Sequence, residues 1–328
     1  MHVFITGGAG FIGSHLTEYH LNQGDKVYVL DNLSTGSMDN INLFTKNPNF
    51  QYETDDILTW KNLTEAVLWA DRIYHLAAVV GVFRVLENPV NVLATNIAGC
   101  ERLLRAVATS KWHPQVLIAS SSEVYGASPR QPLSEDDSLI IKSAAHSRWS
   151  YTISKLADES FSLAYARKMK ENVTIVRLFN TIGPRQTGRY GMVVPRFIQQ
   201  AVNAEPITIY GDGTQTRSFC DVRDTVVKLD LLISNEKSTN EIVNVGNDHE
   251  ISMNDLALLT KKLTHSHSPI QHLSYEEAYG EHIDETMRRK PCLKKLNSLI
   301  TYQNKWSLEE TINDLAKQQQ LRLEVVKS

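Results

Sequence analysis

Two segments, SSSEVYG (residues 120–126) and YTISK (residues 151–155), contain the residue types that proton transfer to and from a hydroxyl group requires. Tyr151 and Lys155 are four positions apart, so they share one face of a helix. A free tyrosine has a pKa of about 10, but a neighbouring ammonium favours the phenolate and lowers that pKa. The pair therefore predicts a general base, although this spacing alone also occurs by chance.

Ser121 gives the pair its significance. It follows the apolar run PQVLIA (residues 114–119), which is typical of a buried strand. Open α/β sheets bind their ligands at the carboxyl ends of the strands, so the Ser121 hydroxyl is expected beside the substrate. A serine there bridges a substrate hydroxyl and the oxygen of Tyr151. Ser121, Tyr151 and Lys155 together predict hydride transfer between a sugar carbinol and a nicotinamide.

The segment FITGGAGFIGSH (residues 4–15) predicts a dinucleotide site. Its glycines Gly7, Gly10 and Gly13 follow the first apolar run and open a helix, where backbone N–H groups and the helix dipole hold a pyrophosphate. Asp31 ends the next apolar run, 18 residues after Gly13. A carboxylate there accepts hydrogen bonds from both ribose hydroxyls and repels a 2′-phosphate, so we expect NAD rather than NADP.

The elements that position these residues alternate along the first half of the chain. Val- and Ile-rich runs separated by amphipathic segments predict a parallel sheet covered by helices on both faces, a doubly wound α/β domain. Predicted strands lie within 2–6, 26–31, 51–57, 72–78, 114–121 and 173–180, with helices at 11–23, 59–70, 90–110 and 151–169. Gly- and Arg-rich loops then dominate, with helices at 195–204, 221–234, 252–263 and 307–319.

Composition excludes several classes of protein. A net charge of −3 over 328 residues gives no excess of basic residues that would bind nucleic acid or an anionic membrane. No apolar run reaches the length of a membrane span. The three cysteines have no C-x-x-C spacing, which favours reduced thiols and a cytoplasmic location. His265 and His267 lack accompanying carboxylates or cysteines, so we expect no metal centre.

Beyond these single motifs, the chain resembles the extended short-chain dehydrogenase/reductases that modify nucleotide sugars. The resemblance covers nearly the whole chain and is carried by TGGAGFIG, DN at 31–32, HLAA, SSSEVYG, YTISK and RLFNTIGPR. It implies tightly held NAD, a Rossmann-type sheet in residues 1–180 and a smaller nucleotide-sugar-binding domain in 181–328, some segments of which return to the sheet. It also implies a homodimer formed through helices 90–110 and 151–169.

By position, the resemblance also implies residue roles. The expected NAD site comprises Gly7, Gly10, Phe11, Ile12, Gly13, Asp31, Asn32, Asp56, Ile57, Leu76, Ala77, Ala78, Asn96, Tyr151 and Lys155. The expected substrate site comprises Ser122, Asn180, Arg185, Arg189, Val194, Arg217 and Arg289. Arginines suit this role because their planar, forked donors match phosphate oxygens. The chain has Cys292 where the family often has an aspartate that contacts the nucleotide ribose.

The residues after Ser121 discriminate among reactions within the family. The related 4,6-dehydratases have an Asp-Glu pair where this chain has Ser122 and Glu123, so dehydration is disfavoured. A hydroxyl residue followed by Ser-Glu resembles both decarboxylases and C4-epimerases of UDP-glucuronate, which makes Glu123 a candidate catalytic residue.

The loop GPRQTGRYGMVVPRF (residues 183–197) offers Arg189 as a partner for a sugar carboxylate. It lacks the Asn-Asp pair of the decarboxylases, which favours C4-epimerisation of a UDP-sugar, with UDP-uronate decarboxylation as the alternative. Non-catalytic NAD sensors of the superfamily often lose the tyrosine or lysine, and this chain keeps both.

Overall fold

The computed structural model describes residues 1–110, 113–143, 146–188, 191–280 and 286–327. The strands are β1 (His2–Thr6), β2 (Lys26–Leu30), β3 (Phe50–Glu53), β4 (Arg72–His75), β5 (Gln115–Ser121), β6 (Val173–Leu178), β7 (Thr181–Ile182), β8 (Ile207–Tyr210), β9 (Thr216–Ser218), β10 (Cys220–Asp221), β11 (Ile242–Val245), β12 (Glu250–Ser252), β13 (Ile270–Leu273) and β14 (Arg288–Arg289). The helices are α1 (Phe11–Asn22), α2 (Leu63–Trp69), α3 (Val82–Glu87), α4 (Pro89–Thr109), α5 (Trp149–Met169), α6 (Val193–Val202), α7 (Val222–Ile233), α8 (Met253–Leu263), α9 (Tyr275–Tyr279), α10 (Lys294–Leu299) and α11 (Leu308–Lys327).

Seven parallel strands form the central sheet, in the order β11-β6-β5-β4-β1-β2-β3. The strand order reverses between β1 and β4, and a crevice at the carboxyl ends of such strands is where doubly wound sheets bind ligands. The predicted fold class is therefore confirmed.

Both faces of the sheet are buried. Successive side chains of a strand point to opposite faces, and β1 shows this directly: Val3 and Ile5 belong to one core cluster and Phe4 to the other. All three side chains are fully buried. Strands buried on both sides read as continuous apolar runs, which is why the sequence pattern identified β1 to β6, whereas β11 was not predicted.

Several features differ from the sequence-based expectation, which included neither the strands β7 to β14 nor the helices α9 and α10. Helix α2 begins at Leu63 rather than near residue 59, because the backbone carbonyl of Asp56 closes a turn with Thr59 and Trp60. Helix α3 was not predicted; its six residues follow Gly81 at φ +108° without a side-chain cap. Helix α11 continues to Lys327, beyond the predicted end at 319.

The second half of the chain builds small sheets beside the carboxyl edge of the large one. Strand β8 pairs with β13, and β9 pairs with both β12 and β14. Helices α6, α8 and α11 pack on a separate apolar core that includes Phe197, Leu256 and Ile312. Strand β11 joins the central sheet, and the division at residue 180 stays a prediction. No helix in the described ranges combines the length and apolarity that a bilayer span requires.

A buried ion pair fixes α5 to the sheet. Arg177 on β6 donates from Nε and Nη2 to the two carboxylate oxygens of Glu159 on α5, each at 2.9 Å. The Ser120 hydroxyl on β5 donates to the same carboxylate at 2.6 Å. All three residues are buried, so the helix that carries Tyr151 is tied to the strand that carries Ser121.

Glu159→Gln should lower the free energy of unfolding by about 3–5 kcal/mol, because it leaves the buried Arg177 guanidinium without its counter-charge. Urea denaturation followed by far-ultraviolet circular dichroism measures the change. The control is Glu241→Gln, which removes the partner of the partly exposed Lys295 and should cost at most about 1 kcal/mol. Equal losses in the two variants would contradict the anchoring role of Glu159.

Candidate active site

A cavity of about 490 Å³ opens at the carboxyl edge of the central sheet. The ends of five parallel strands contribute to its walls through Gly7, Asp31, Ala77, Ser121 and Asn180. Its volume lies in the range of ligand sites for small molecules and cofactors. The remaining walls come from α3, α4 and α5 in the first half of the chain and from the smaller sheets and helices of the second half.

The glycine turn after β1 makes one end of the cavity a phosphate cradle. A side chain at Gly7 would place its Cβ 2.7 Å from the backbone nitrogen of Ala77, and one at Gly13 would overlap the carbonyl oxygen of Gly7. Gly7 also has a φ of +75°, which favours glycine. The chain therefore keeps this turn bare beside the N-terminus of α1, where a pyrophosphate fits.

Asp31 stands at the next strand end in a fixed orientation. Its carboxylate accepts hydrogen bonds from the backbone nitrogens of Leu33 at 2.8 Å and Ala9 at 3.0 Å. Burial raises the pKa of Asp31, and these hydrogen bonds oppose the rise. Asn32 beside it donates to Asp56 at 2.9 Å. An oriented carboxylate next to the glycine turn is the arrangement that an adenosine ribose requires.

Most of the predicted NAD residues line the cavity. They are Gly7, Gly10, Phe11, Ile12, Gly13, Asp31, Asn32, Asp56, Ile57, Leu76, Ala77, Ala78, Tyr151 and Lys155. Asn96 is absent from the wall because it is buried behind it, where its amide accepts from the Val79 nitrogen and donates to the Val79 oxygen. Asn96 therefore positions Val79, which does line the cavity.

The predicted substrate residues divide in the same way. Ser122, Asn180, Val194, Arg217 and Arg289 line the cavity. Arg185 does not: it pairs with Glu18 on α1 at 2.6 Å and lies over the Phe44 ring. Arg189 lies outside the described residues, so its role stays a prediction.

The catalytic cluster assembles at the end of β5. The Ser121 hydroxyl accepts a hydrogen bond from the Glu123 nitrogen at 3.2 Å, which begins a short 3₁₀ turn. Burial raises the pKa of Tyr151, while the Lys155 ammonium and a hydrogen bond with Ser121 lower it. The expected lowering by Lys155 is present, but burial outweighs it. The Lys155 ammonium itself is bound to Asp158, a contact that the sequence motif did not reveal.

Glu123 lies among guanidinium groups on the substrate side. It accepts a hydrogen bond from Arg289 at 2.6 Å, and Arg148 lies 3.9 Å away. Burial raises the pKa of Glu123, but Arg289, Arg148 and Arg217 together hold it at about 2. The carboxylate is therefore ionised at neutral pH. Three cations around one carboxylate favour an anionic ligand in this part of the cavity.

An aromatic group lines part of the cavity through Tyr210 and Tyr279, and sequence reasoning missed it. The Arg196 guanidinium lies 3.7 Å from the centre of the Tyr210 ring, and the Tyr279 ring lies 5.3 Å from those of Tyr210 and Phe83. These residues come from α6, β8, α9 and α3. No local motif connects positions so far apart in the chain, although an aromatic residue directly before the GDG turn was the one available signal.

The fold and the cavity define a nicotinamide-dinucleotide enzyme, since the bare glycine turn and the oriented carboxylate suit the dinucleotide and the Ser-Tyr-Lys cluster suits hydride chemistry. Residues 3–246 match the NAD dependent epimerase/dehydratase family, and the chain belongs to that family. It is an NAD-dependent enzyme, as the sequence predicted.

Two relatives and one solved structure show the range of similarity. The chain is 37% identical to the UDP-N-acetyl-alpha-D-glucosaminuronate decarboxylase of Bacillus cytotoxicus, covering 94% of this chain and 95% of the relative. It is 35% identical to UDP-glucuronic acid decarboxylase 1 of Xenopus tropicalis, covering 95% and 70%. The UDP-glucuronic acid 4-epimerase of Bacillus cereus, solved with UDP-glucuronic acid and NAD, superimposes with a TM-score of 0.86 at 28% identity, covering 97% and 99%.

Asp31→Asn should weaken NAD binding about tenfold or more, because a hydrogen bond to a charged group contributes about 1.5–3 kcal/mol. The preference for NAD over NADP should narrow, since the amide no longer repels a 2′-phosphate. Calorimetric titration of both cofactors tests this. Asp39→Asn, which removes an exposed carboxylate of the same segment, is the control and should leave both affinities unchanged. Equal NAD and NADP affinities in the unaltered protein would refute the assignment.

Proposed function

We propose that this enzyme oxidises C4 of a UDP-hexuronate and then releases its C6 carboxylate as carbon dioxide. One observation carries the proposal: the Glu123–Arg289 pair lies in the same cavity as Ser121 and Tyr151, so an anion-binding group accompanies the proton-transfer cluster. The relatives that are 37% and 35% identical are decarboxylases of UDP-uronates, which supports this choice.

In the oxidation, Tyr151 takes the proton of the C4 hydroxyl through the Ser121 hydroxyl, and the Lys155 ammonium stabilises the phenolate. NAD, when bound, accepts the hydride from C4 and later returns it. Burial raises the pKa of Tyr151 and makes its phenolate a strong proton acceptor, whereas the Lys155 ammonium lowers that pKa and makes the phenol a better donor when the proton is returned. The product of this half is a 4-keto sugar.

A 4-keto hexuronate is a β-keto acid, which explains how carbon dioxide leaves. The electron pair of the C5–C6 bond moves into the C4 carbonyl and forms an enolate, while C6 departs as carbon dioxide. A proton then adds at C5, and hydride returns to C4 with the proton that Tyr151 holds. The net change is a UDP-hexuronate plus one proton giving a UDP-pentose and carbon dioxide.

The charges around Glu123 fit this step. A substrate carboxylate beside Glu123 brings two negative charges together, and Arg289 and Arg148 hold them there. Loss of carbon dioxide moves one of the two charges from C6 to the enolate oxygen at C4, away from Glu123, so repulsion that is present in the ground state is relieved along the reaction path. Glu123 itself stays ionised, with a pKa of about 2.

The rest of the cavity suits the nucleotide part of the substrate. Asn180 and Arg217 lie at the wall between the catalytic cluster and the smaller sheets, where they would bind the diphosphate. The Tyr210 ring, backed by Arg196, offers a flat face on which a uracil would stack.

C4-epimerisation of the same substrate is the second candidate. The sequence-based ranking placed it first, and the similarity to the Bacillus cereus UDP-glucuronic acid 4-epimerase structure supports it. Epimerisation uses the same oxidation, after which the 4-keto sugar presents its opposite face to the returning hydride and keeps C6. The predicted role of Arg189 as a carboxylate partner serves both reactions.

We also propose a homodimer and a cytoplasmic location. Helices α4 and α5 pack side by side and leave Leu93, Ile97 and Phe161 partly exposed, which suits a four-helix contact between two copies. The three cysteines form no disulfide, which suits a reducing compartment. Size-exclusion chromatography with light scattering tests the homodimer.

Tyr151→Phe should reduce turnover about 10²–10⁴-fold while NAD stays bound, because it removes the proton acceptor and keeps the ring. Tyr165→Phe is the control: it removes a hydroxyl from the same helix that bonds to Glu101, and it should retain full activity. Steady-state kinetics with UDP-glucuronate and UDP-N-acetylglucosaminuronate measure both. Residual Tyr151→Phe activity above roughly a tenth of wild type would exclude the catalytic role.

Arg289→Ala should reduce kcat/KM for the UDP-uronate by about 30-fold or more, since stranding one member of a buried charge pair costs about 2–5 kcal/mol. The neighbouring Arg288→Ala is the control, because Arg288 is exposed and pairs with Glu250 away from the catalytic cluster. Similar losses in both variants would argue against the role of Arg289.

Product analysis in D₂O separates the two candidate reactions. Decarboxylation yields carbon dioxide and a UDP-pentose with deuterium at C5, whereas epimerisation yields an isomer of unchanged mass with no deuterium on carbon. Mass spectrometry and NMR identify the product. Formation of the isomer alone would overturn the decarboxylase proposal.

A further inference from the structure

The ammonium of Lys155 has a carboxylate partner on the side away from the Ser-Tyr cluster. Its Nζ donates to Oδ2 of Asp158 at 3.0 Å, three residues further along α5. Lys155 is 3% exposed and Asp158 is fully buried. The Cys100 thiol also interacts with this carboxylate, and Lys155 is the cation that pairs with it.

A carboxylate buried in this way is costly unless it is paired. Burial raises the pKa of Asp158, and the Lys155 ammonium opposes that rise. Asp158 does not line the cavity, so it contacts neither substrate nor cofactor there. Its position instead lets it act on the catalytic tyrosine through the lysine.

Other titratable groups near Lys155 do not balance its charge. His75 on β4 is buried and neutral, with a pKa lowered to about 3 by burial and by Lys155. The Cys100 thiol on α4 is also neutral, because burial raises its pKa. Glu159 is engaged by Arg177, and Glu123 by Arg289. Among the described residues, Asp158 is therefore the counter-charge of Lys155.

We propose that Asp158 is a positioning residue that holds the Lys155 ammonium and weakens its pull on the Tyr151 phenol. This inference rests on the proposed role of Tyr151 in proton transfer. In the proposed reaction Tyr151 first accepts a proton and then returns it within one turnover. A lysine without a counter-charge would make the phenolate too weak a base to take the proton of the C4 hydroxyl readily, and Asp158 moderates this effect.

The sign of the effect follows from the charges. The Asp158 carboxylate disfavours the phenolate and so raises the pKa of Tyr151, in the direction opposite to Lys155. Asp158→Asn keeps the shape of the side chain and removes the charge. The pKa of Tyr151 should then fall by about one unit, the scale expected for one charge several ångströms away at a protein-like dielectric constant.

The direct test is the absorbance titration of the Tyr151 phenolate. Subtracting the titration of Tyr151→Phe from that of the wild type isolates the Tyr151 signal. The same signal in the Asp158→Asn background is obtained by subtracting the titration of the double variant Asp158→Asn/Tyr151→Phe. We expect the Tyr151 phenolate to form at lower pH in Asp158→Asn than in the wild type. The acidic limb of the kcat/KM profile, measured on the NAD-loaded enzyme, should move the same way.

Two further variants make the outcome decisive. Glu236→Gln removes the same charge from the surface and should shift neither curve. Asp158→Glu keeps the charge and should restore most of the wild-type pKa, which also covers the case in which Asp158→Asn fails to fold. The proposal would be overturned if the pKa of Tyr151 were the same in Asp158→Asn as in the wild type. It would also be overturned if Asp158→Glu lowered that pKa by as much as the one unit expected for Asp158→Asn. The absorbance titration needs no substrate. A negative result would therefore count against the role of Asp158 and would not bear on which reaction the enzyme catalyses.

Discussion

The site depends on one interaction, the buried pair of Glu159 and Arg177 with Ser120 joined to it. Tyr151 lies on α5 and Ser121 ends β5, and residues 122–148 separate these two elements along the chain. Their hydroxyls meet only if the helix cannot slide or rotate on the sheet, and a bidentate guanidinium–carboxylate contact fixes both motions because its two hydrogen bonds must be satisfied together. Apolar packing has no directional preference, so the polar contact favours the register in which the catalytic groups meet.

The features that were predicted correctly depend on residues that are close together in the chain. Apolar runs buried on both faces, a glycine turn at a helix start and hydroxyl residues at a strand end are each set by neighbouring residues. Arg185 shows where this reasoning stops, since its partner Glu18 is 167 positions away and no motif links them. The contact of Arg289 with Glu123 likewise depends on how distant elements pack. Lys155 and Asp158 have the i,i+3 spacing that lets two helical residues meet, but the spacing does not show that the pair is buried. Helix α3 was missed because six residues without a cap give too short a pattern.

The two candidate reactions share one electrostatic arrangement. Both need a cationic region for a diphosphate and a uronate, and both need an oxidation at C4 that is reversed before release. They differ in whether the keto sugar turns in the site or loses C6. The position of Glu123 beside Arg289 and Arg148 bears on this difference, because in the proposed reaction its fixed negative charge would lie near C6, while the Ser-Tyr-Lys cluster would serve C4.

The seventh strand of the sheet has a consequence for how the molecule is made. Strand β6 pairs with β5 on one side and with β11 on the other, and β11 follows it by more than 60 residues. During synthesis on the ribosome, the edge of β6 therefore stays unpaired until the chain has grown past Val245. An unpaired, apolar strand edge is a template for association with other chains. The sheet is thus complete only after α6, α7 and the strands β7 to β10 have emerged, and a chain interrupted between β6 and β11 carries an open edge.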